Sequence, residues 1–450
     1  MIAFVPFFLS MLAFHTKMWY TNYIYAPVAM CRRVKFREVS LMNIAIAQSG
    51  GPTCAINASL VGVFKQGLLT EEIDAIFGSI NGIEGMIGDE LVNLKTIIRS
   101  NEDMELLRQT PSTVLGSCRY KLPSYEDDPE VYEKIMKTLT THRIGIFIYI
   151  GGNDSMDTVV KLSAYMKHVG SDIRIIGVPK TIDNDLPITD HTPGFGSAAK
   201  YVAATVQEII RDSSVYSIPS VTIVEIMGRH SGWLAASTCI LRANGEEAPH
   251  LIYLPEGDFS AESFIEDVRK EMAKHKAVVV AVSEGVALNT EESGIEDFQS
   301  GKEDVFGHKY LSGVGKFLEN LVAEKIGCKV RSIELNVMQR CSSHICSKTD
   351  IDEAERIGRH ALRAALDGNT GKMMYFRRIS DVPYAVTIEM TDAVKAANLE
   401  KKFPTEWISA ERNQVTDAAI SYFLPLIQGE VNIMMRNGLP VHFQRPLQMR

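Results

Sequence analysis

The residues best suited to chemistry sit in one short stretch, Pro179-Lys180-Thr181-Ile182-Asp183-Asn184-Asp185. Two carboxylates two residues apart can accept a proton and hold a divalent cation, and the lysine and threonine beside them suit an anion. Ordinary turns use Asp and Asn for local hydrogen bonds, but rarely add Lys and Thr at the same place. Two further turns carry glycine pairs, Ser49-Gly50-Gly51-Pro52-Thr53 and Gly151-Gly152-Asn153-Asp154-Ser155. Each lets backbone amides approach an anion, with the positive end of a following helix behind them. Asp154 or Ser155 has the alternative use of a helix N-cap. The first turn lacks the third glycine of a dinucleotide fingerprint. The segment Gly368-Asn369-Thr370-Gly371-Lys372-Met373 lacks the spacing and the hydroxyl of a Walker loop. Downstream, Glu225-Ile226-Met227-Gly228-Arg229-His230 supplies an arginine able to neutralise a phosphoryl group bidentately. Glu256, in Leu254-Pro255-Glu256, offers a carboxylate to hydroxyl groups, and Arg331 and Gln339-Arg340 add cations. Any one of these charged residues alone could equally be a surface ion pair.

The elements that must position these turns are legible as apolar runs. Strands are expected at Asn43–Ala47, Ile144–Ile150, Ile173–Val178, Val221–Ile226, Leu251–Leu254 and Ala277–Val282, several of them apolar throughout, as in a parallel sheet buried on both faces. Helices are expected at Asp154–Lys167, Ser197–Arg211 and Ala261–His275. Alternating strand and helix implies right-handed crossovers and a doubly wound sheet, in which ligands bind at the carboxyl ends of the strands. The chemistry-bearing turns follow those strand ends. Gly285–Tyr310 is a polar connection, a loop or lid, and the chain after Asp350 reads as further α/β material with weak boundaries.

A chain of 450 residues has room for two domains, and its 46% hydrophobic and 23% charged residues are ordinary for a folded protein. A formal net charge of -8 argues against a nucleic-acid partner, but not against small anions. Seven scattered cysteines suggest free thiols in a reducing, cytoplasmic setting. Cys341, His344 and Cys346 lack a fourth ligand and the paired knuckles of a zinc site. The apolar start MIAFVPFFLSMLAF is too short for a membrane span and has no preceding positive residue, so residues 1–41 are expected to be an extension, disordered or untranslated, with no membrane role.

The set SGGPT, LGSCRY, GGNDS, PKTIDND, EIMGRHSGW and YLPE, in this order and spacing, resembles the phosphofructokinase family from about Met42 to beyond Arg340. The resemblance implies two doubly wound (Rossmann-like) α/β domains with the active site between them. Residues 42–195 plus about 338–385 would form the phosphoryl-donor domain, and 196–337 plus the C-terminal segment the sugar-phosphate domain. By the same resemblance Asp183 is the general base toward the 1-hydroxyl of fructose 6-phosphate, Asp185 lies by the metal and phosphates, Thr181 contacts the transferred group, and Arg229 stabilises the transition state. Gly51, Arg119, Gly152 and Asn153 face the donor. Ile182, Met227 and Gly228 line the sugar site, and Glu256 binds sugar hydroxyls. Arg340 holds the 6-phosphate, next to Val337, Met338 and Gln339, helped by Arg331 from a neighbouring subunit. A homo-oligomer, dimer or tetramer, and Mg²⁺ held by Asn153 and Asp185 are implied. Three positions depart from the family's common pattern: Asn153 replaces an aspartate, Ser220 a second cross-subunit arginine, and Val337 a histidine.

Two more positions bear on the donor. ATP-dependent members mostly read GGDGS and PGTIDND; Asp154 and Lys180 here resemble the pyrophosphate-dependent members instead. A carboxylate at 154 would repel and obstruct a nucleotide's α-phosphate, and Lys180 adds a cation for a short donor. The expected reaction is reversible phosphoryl transfer from pyrophosphate to fructose 6-phosphate. An ATP-dependent enzyme and a non-catalytic regulatory subunit are the alternatives; the second would be expected to lose Asp183 or Arg229.

Overall fold

The computed structural model describes residues 41–258, 260–287 and 313–444. The expectations for residues 1–40 and for the connection beyond residue 287 lie outside these.

Eleven strands form two sheets: β1 (Met42–Gln48), β2 (Ile73–Ser79), β3 (Leu91–Asn93), β4 (Ile144–Gly151), β5 (Arg174–Pro179), β6 (Ser220–Ile226), β7 (Leu251–Tyr253), β8 (Ala277–Ser283), β9 (Lys329–Glu334), β10 (Lys372–Asp381) and β11 (Tyr384–Asp392). The larger sheet runs β11-β10-β5-β4-β1-β2-β3, and the smaller runs β7-β8-β6-β9. The smaller sheet is parallel throughout. The larger is parallel at its centre and closed by antiparallel edges, β3 on β2 and β11 on β10.

Apolar runs make the central strands because both their faces are covered. In β4, with the sequence IGIFIYIG, every residue but Gly145 is buried. Helices Ile56–Leu68 and Lys348–Leu366 cover one face of the large sheet. They approach closely where two glycines meet: a Cβ on Gly62 would lie 2.0 Å from the Glu355 carbonyl oxygen, and one on Gly358 2.1 Å from that of Ser59. Helices Pro129–Thr141 and Asn153–His168 cover the other face. In the small sheet, helix Phe195–Ser213 covers one face and helices Ala261–Met272 and Val314–Lys325 the other.

Strand register explains why the chemistry gathers. Gln48 pairs with Ile150, and Ile150 with Val178, so the turns after β1, β4 and β5 lie side by side. Ile226 pairs with Ser283, and Glu225 with Glu334, so the turns after β6, β8 and β9 do the same.

Boundaries differ from the sequence reading in small ways. The helix starting at Ala261 ends at Met272, and its N-terminus is closed by a Ser260–Ser263 capping box. At the second glycine-pair turn the N-cap is Gly152, without a side-chain cap, so neither Asp154 nor Ser155 is spent on capping. The long hairpin of β10 and β11 resolves the weakly bounded region after Asp350.

Candidate active site

A cavity of about 410 Å³ opens where the two sets of turns face each other. Gly51, Arg119, Gly152, Asn153, Asp154 and Lys180 line it from the large-sheet side, followed by Thr181, Ile182, Asp183 and Asp185. Met227, Arg229, Val337 and Arg340 line it from the small-sheet side. The turns after β1, β4, β5 and β6 therefore meet in one place, whereas Leu254-Pro255-Glu256 after β7 does not reach the wall.

The Lys180 side chain is 1% exposed, and its Nζ donates to the Gly51 carbonyl at 2.6 Å. Burial pulls its pKa down to about 7, against the pull of Asp183. An anion entering here would draw the proton back. Arg340 closes over the same glycine, since a Cβ on Gly51 would lie 3.4 Å from its guanidinium. Burial lowers the pKa of Arg340, and the Asp183 carboxylate is the main group opposing that.

Asp183 takes a hydrogen bond from the Thr181 hydroxyl at 3.3 Å, and its backbone N–H donates to the same hydroxyl. Burial raises its pKa, while Arg229 most strongly holds it down. Burial and then the neighbouring Asp183 carboxylate push Asp185 up to about 7. Two carboxylates sharing a dry site cannot both ionise cheaply. The pair is thus set up for a cation, and for one member to act as a base near neutral pH.

Arg229 sits at φ 50°, left-handed backbone that arginine rarely adopts. The structure supplies the restraint. Glu284, just after β8, accepts from the N–H groups of Gly228 at 3.2 Å and Arg229 at 3.1 Å. A Cβ on Gly285 would lie 1.5 Å from the Arg229 carbonyl oxygen, so only glycine allows this approach. Burial pushes Glu284 up to about 7, against those two amides. Glu284 lines the cavity and was not singled out in the sequence, although it occupies the same position after a buried strand as the residues that were.

Five of the expected sugar-side residues do not line the cavity: Gly228, Glu256, Arg331, Met338 and Gln339. Glu256 accepts from the N–H groups of Gly232 and of Phe403. The Gln339 amide, 1% exposed, accepts from the Met227 N–H at 3.2 Å and so supports a residue on the wall. Arg331, on β9, has a side chain 42% exposed, with Asp212 at 3.6 Å. Val337 and Met338 are about half exposed, at 47% and 51%.

A family model described as phosphofructokinase matches residues 43–365. The chain belongs to the phosphofructokinase family. Its relatives include the pyrophosphate–fructose 6-phosphate 1-phosphotransferases of Halomonas elongata, 39% identical over 401 residues, and of Methylococcus capsulatus, 38% identical over 401 residues. Each alignment covers 88% of this chain and 94% of the relative. The crystal structure of the pyrophosphate-dependent phosphofructokinase from Marinobacter aquaeolei matches with a TM-score of 0.79 at 34% identity, over 90% of this chain and 96% of that one.

Phosphofructokinases act on phosphoryl donors that travel with a divalent cation, and the donor set here fits one. The buried Asn153 Oδ1 has no hydrogen-bond partner, because the amide nitrogen is turned to the Leu399 carbonyl at 2.5 Å. It stands in the same cavity as the charge-crowded Asp185. Among the described residues no three His, Cys, Asp or Glu side chains form a cage that would hold a metal unaided. One or two protein oxygens plus phosphate oxygens is the usual arrangement for Mg²⁺. Cys341 and Cys346 are free thiols. No described helix is long and apolar enough to cross a membrane.

Proposed function

We propose that this phosphofructokinase moves a phosphoryl group from pyrophosphate to the 1-hydroxyl of fructose 6-phosphate, giving fructose 1,6-bisphosphate and phosphate, reversibly. The observation that carries the donor choice is the pairing of Asp154 and Lys180 on one wall of the cavity. Asp154, in the first turn of helix Asn153–His168 and not engaged as its cap, presents a carboxylate toward the donor side. A third phosphate or a nucleoside would have to pass this negative charge, whereas pyrophosphate stops short of it. Lys180 and the glycine amides serve the short donor. The named relatives act with the same donor.

The chemistry follows from the side chains. Asp183 accepts the proton of the 1-hydroxyl, whose oxygen attacks the nearer phosphorus of pyrophosphate. The bridging P–O bond breaks and its electron pair leaves with phosphate, beside Lys180. Phosphoryl transfer needs little covalent help, so catalysis rests on positioning and on neutralising the equatorial oxygens. Arg229, held by Glu284, supplies a fixed cation there. Thr181 orients the base and the transferred group. Mg²⁺, held by Asp185 and the Asn153 carbonyl oxygen, would neutralise charge on the donor. Met227 and Ile182 flank the sugar, Glu256 is assigned to its hydroxyls, and Arg340 takes the 6-phosphate, flanked by Val337, Met338 and Gln339. Arg331, exposed at the open edge of the small sheet, is assigned to the sugar phosphate of a neighbouring subunit. That requires a homo-oligomer, and such an enzyme would work in the cytoplasm.

The test is direct. Purified protein with Mg²⁺, fructose 6-phosphate and pyrophosphate should form fructose 1,6-bisphosphate, and fructose 1,6-bisphosphate with phosphate should return pyrophosphate. A protein that binds the sugar phosphate but turns over neither mixture would be the regulatory subunit instead.

A further inference from the structure

One short stretch that no motif marked, Leu399–Phe403, is bonded to turns on both sheets. The Leu399 carbonyl accepts from the Asn153 side-chain amide at 2.5 Å. Glu400 meets His230 at 3.2 Å. The Lys401 N–H donates to the Asp185 carbonyl at 2.6 Å. The Lys401 carbonyl accepts from the Ser231 hydroxyl at 3.2 Å and from the Trp233 indole N–H at 3.1 Å. Lys402 donates to the His230 carbonyl at 2.7 Å, and the Phe403 N–H donates to Glu256 at 2.8 Å. Five consecutive residues thus tie the turns after β4 and β5, on the large sheet, to those after β6 and β7, on the small one.

Lys401 is the centre of this strap. Its Nζ donates to the Asp190 carbonyl at 2.9 Å, the Thr189 carbonyl at 3.1 Å and the Asn184 side-chain oxygen at 3.3 Å. It also lies 4.8 Å from the centre of the Trp233 ring. Asn184, between the two catalytic carboxylates, stands at φ 55° and is held on its other side by the Tyr422 hydroxyl at 2.9 Å. One ammonium therefore fixes the Asp183–Asp185 turn from behind, while the backbone of the same residue grips both that turn and the segment after Arg229. The strap is not part of the cavity wall.

We propose that Leu399–Phe403 sets the spacing between the base turn and the arginine turn, and that Lys401 is the positioning residue through which it acts. The inference rests on the reading of Asp183 and Arg229 as the reacting groups. They come from different sheets, and nothing in strand register fixes the distance between two sheets. Phosphoryl transfer is unforgiving of such distances, since misplacement by about 1 Å can cost ~10²-fold in rate. A strap bonded to both sides is a sufficient restraint, and it touches no substrate.

The test uses Lys401→Met, which keeps the stem and removes the ammonium, and Trp233→Phe, which keeps an aromatic ring but removes the donor to the Lys401 carbonyl together with part of a buried indole. All variants and the parent are assayed at one temperature, about 20 °C below the lowest Tm among them, so that unfolding does not lower the number of active sites. Lys401→Met should lose about 10²-fold in kcat, while KM for fructose 6-phosphate and for pyrophosphate stays within about threefold. Trp233→Phe should lose about tenfold in kcat with the same constancy of KM. Because both cut one device, the double variant should be no slower than Lys401→Met alone. Trp233→Phe with kcat within about twofold of the parent overturns the proposal, and this variant decides the matter if Lys401→Met does not fold. Losses that multiply in the double variant also overturn it. Asp183→Asn is run alongside: if it remains active the site reading itself fails, whereas an inactive Asp183→Asn beside a fully active Trp233→Phe removes only the strap.

Discussion

The two sides of the cavity are built to different degrees. On the large-sheet side every residue the sequence assigned to the donor lines the cavity: Gly51, Arg119, Gly152, Asn153, Asp154 and Lys180. On the small-sheet side the assignment scatters, with Arg229, Met227, Val337 and Arg340 on the wall but Gly228, Glu256, Arg331, Met338 and Gln339 off it. The large sheet brings its three turns side by side through strand register, and its edge strands are antiparallel. The small sheet ends at β9, an edge strand, where Arg331, Val337 and Met338 stand exposed. The donor assignments fall on the wall of one chain, whereas several sugar assignments fall off it; the proposed homo-oligomer would bring Arg331 of a neighbouring copy to that side.

The largest break in this comparison should come from the group at the meeting line. Asp183→Asn should lower kcat by about 10²–10⁴ while fructose 6-phosphate still binds. Turnover above about half that of the parent would remove Asp183 from the role. Next, on the donor side, Lys180→Met should lower kcat by about 10²-fold, the usual loss when one charge-stabilising donor is removed. It should leave KM for fructose 6-phosphate nearly unchanged. A larger effect on sugar KM than on kcat would mean that the two sides are not separable.

On the sugar side the prediction is the reverse. Arg331→Ala should raise KM for fructose 6-phosphate by about 10–100-fold, the loss of a charged hydrogen bond, with a smaller effect on kcat. Mixing Arg331→Ala with Asp183→Asn subunits should restore activity, because hybrid sites pair one intact arginine with one intact base. A fully active monomer in light scattering would contradict the shared site.

The smallest effect sharpens the comparison through stability. Because the folded pKa of Asp185 is about 7, the folded protein keeps a proton there that the unfolded chain releases at about pH 4. Between those values the folded state binds more protons, so this carboxylate lowers stability as pH rises. Asp185→Asn should therefore raise Tm at pH 8 by at least ~2 °C, and the gain should vanish below about pH 4. A lower Tm at pH 8 would mean that the carboxylate is structurally compensated.

What was legible in the sequence divides along the same physical line. The strands β1, β4, β5, β6 and β8 were readable because apolar residues on both faces leave a continuous signal, and the turns after them because Gly, Asp, Lys and Arg carry their chemistry in the side chain. Glu284 was missed although it follows β8 as Lys180 follows β5. The rule that ligands gather at strand carboxyl ends would have found it. Leu399–Phe403 was not readable, because half of its bonds use backbone N–H and C=O groups, which every residue has, and its side chains bond to partners far away in the sequence. Glu256 was legible as a carboxylate after a strand, but not that its oxygens would be turned to the amides of Gly232 and Phe403. Pairings that span some 150 residues leave no local pattern.

The central claim is that the donor side, closed by Asp154 and served by Lys180, is shaped for pyrophosphate. The measurement that tests it most directly is kcat/KM of the unmodified enzyme for pyrophosphate and for ATP, at saturating fructose 6-phosphate and Mg²⁺. The account predicts a ratio strongly favouring pyrophosphate, and a fall in that ratio when Asp154 is replaced by Gly. A ratio favouring ATP in the unmodified enzyme would contradict it.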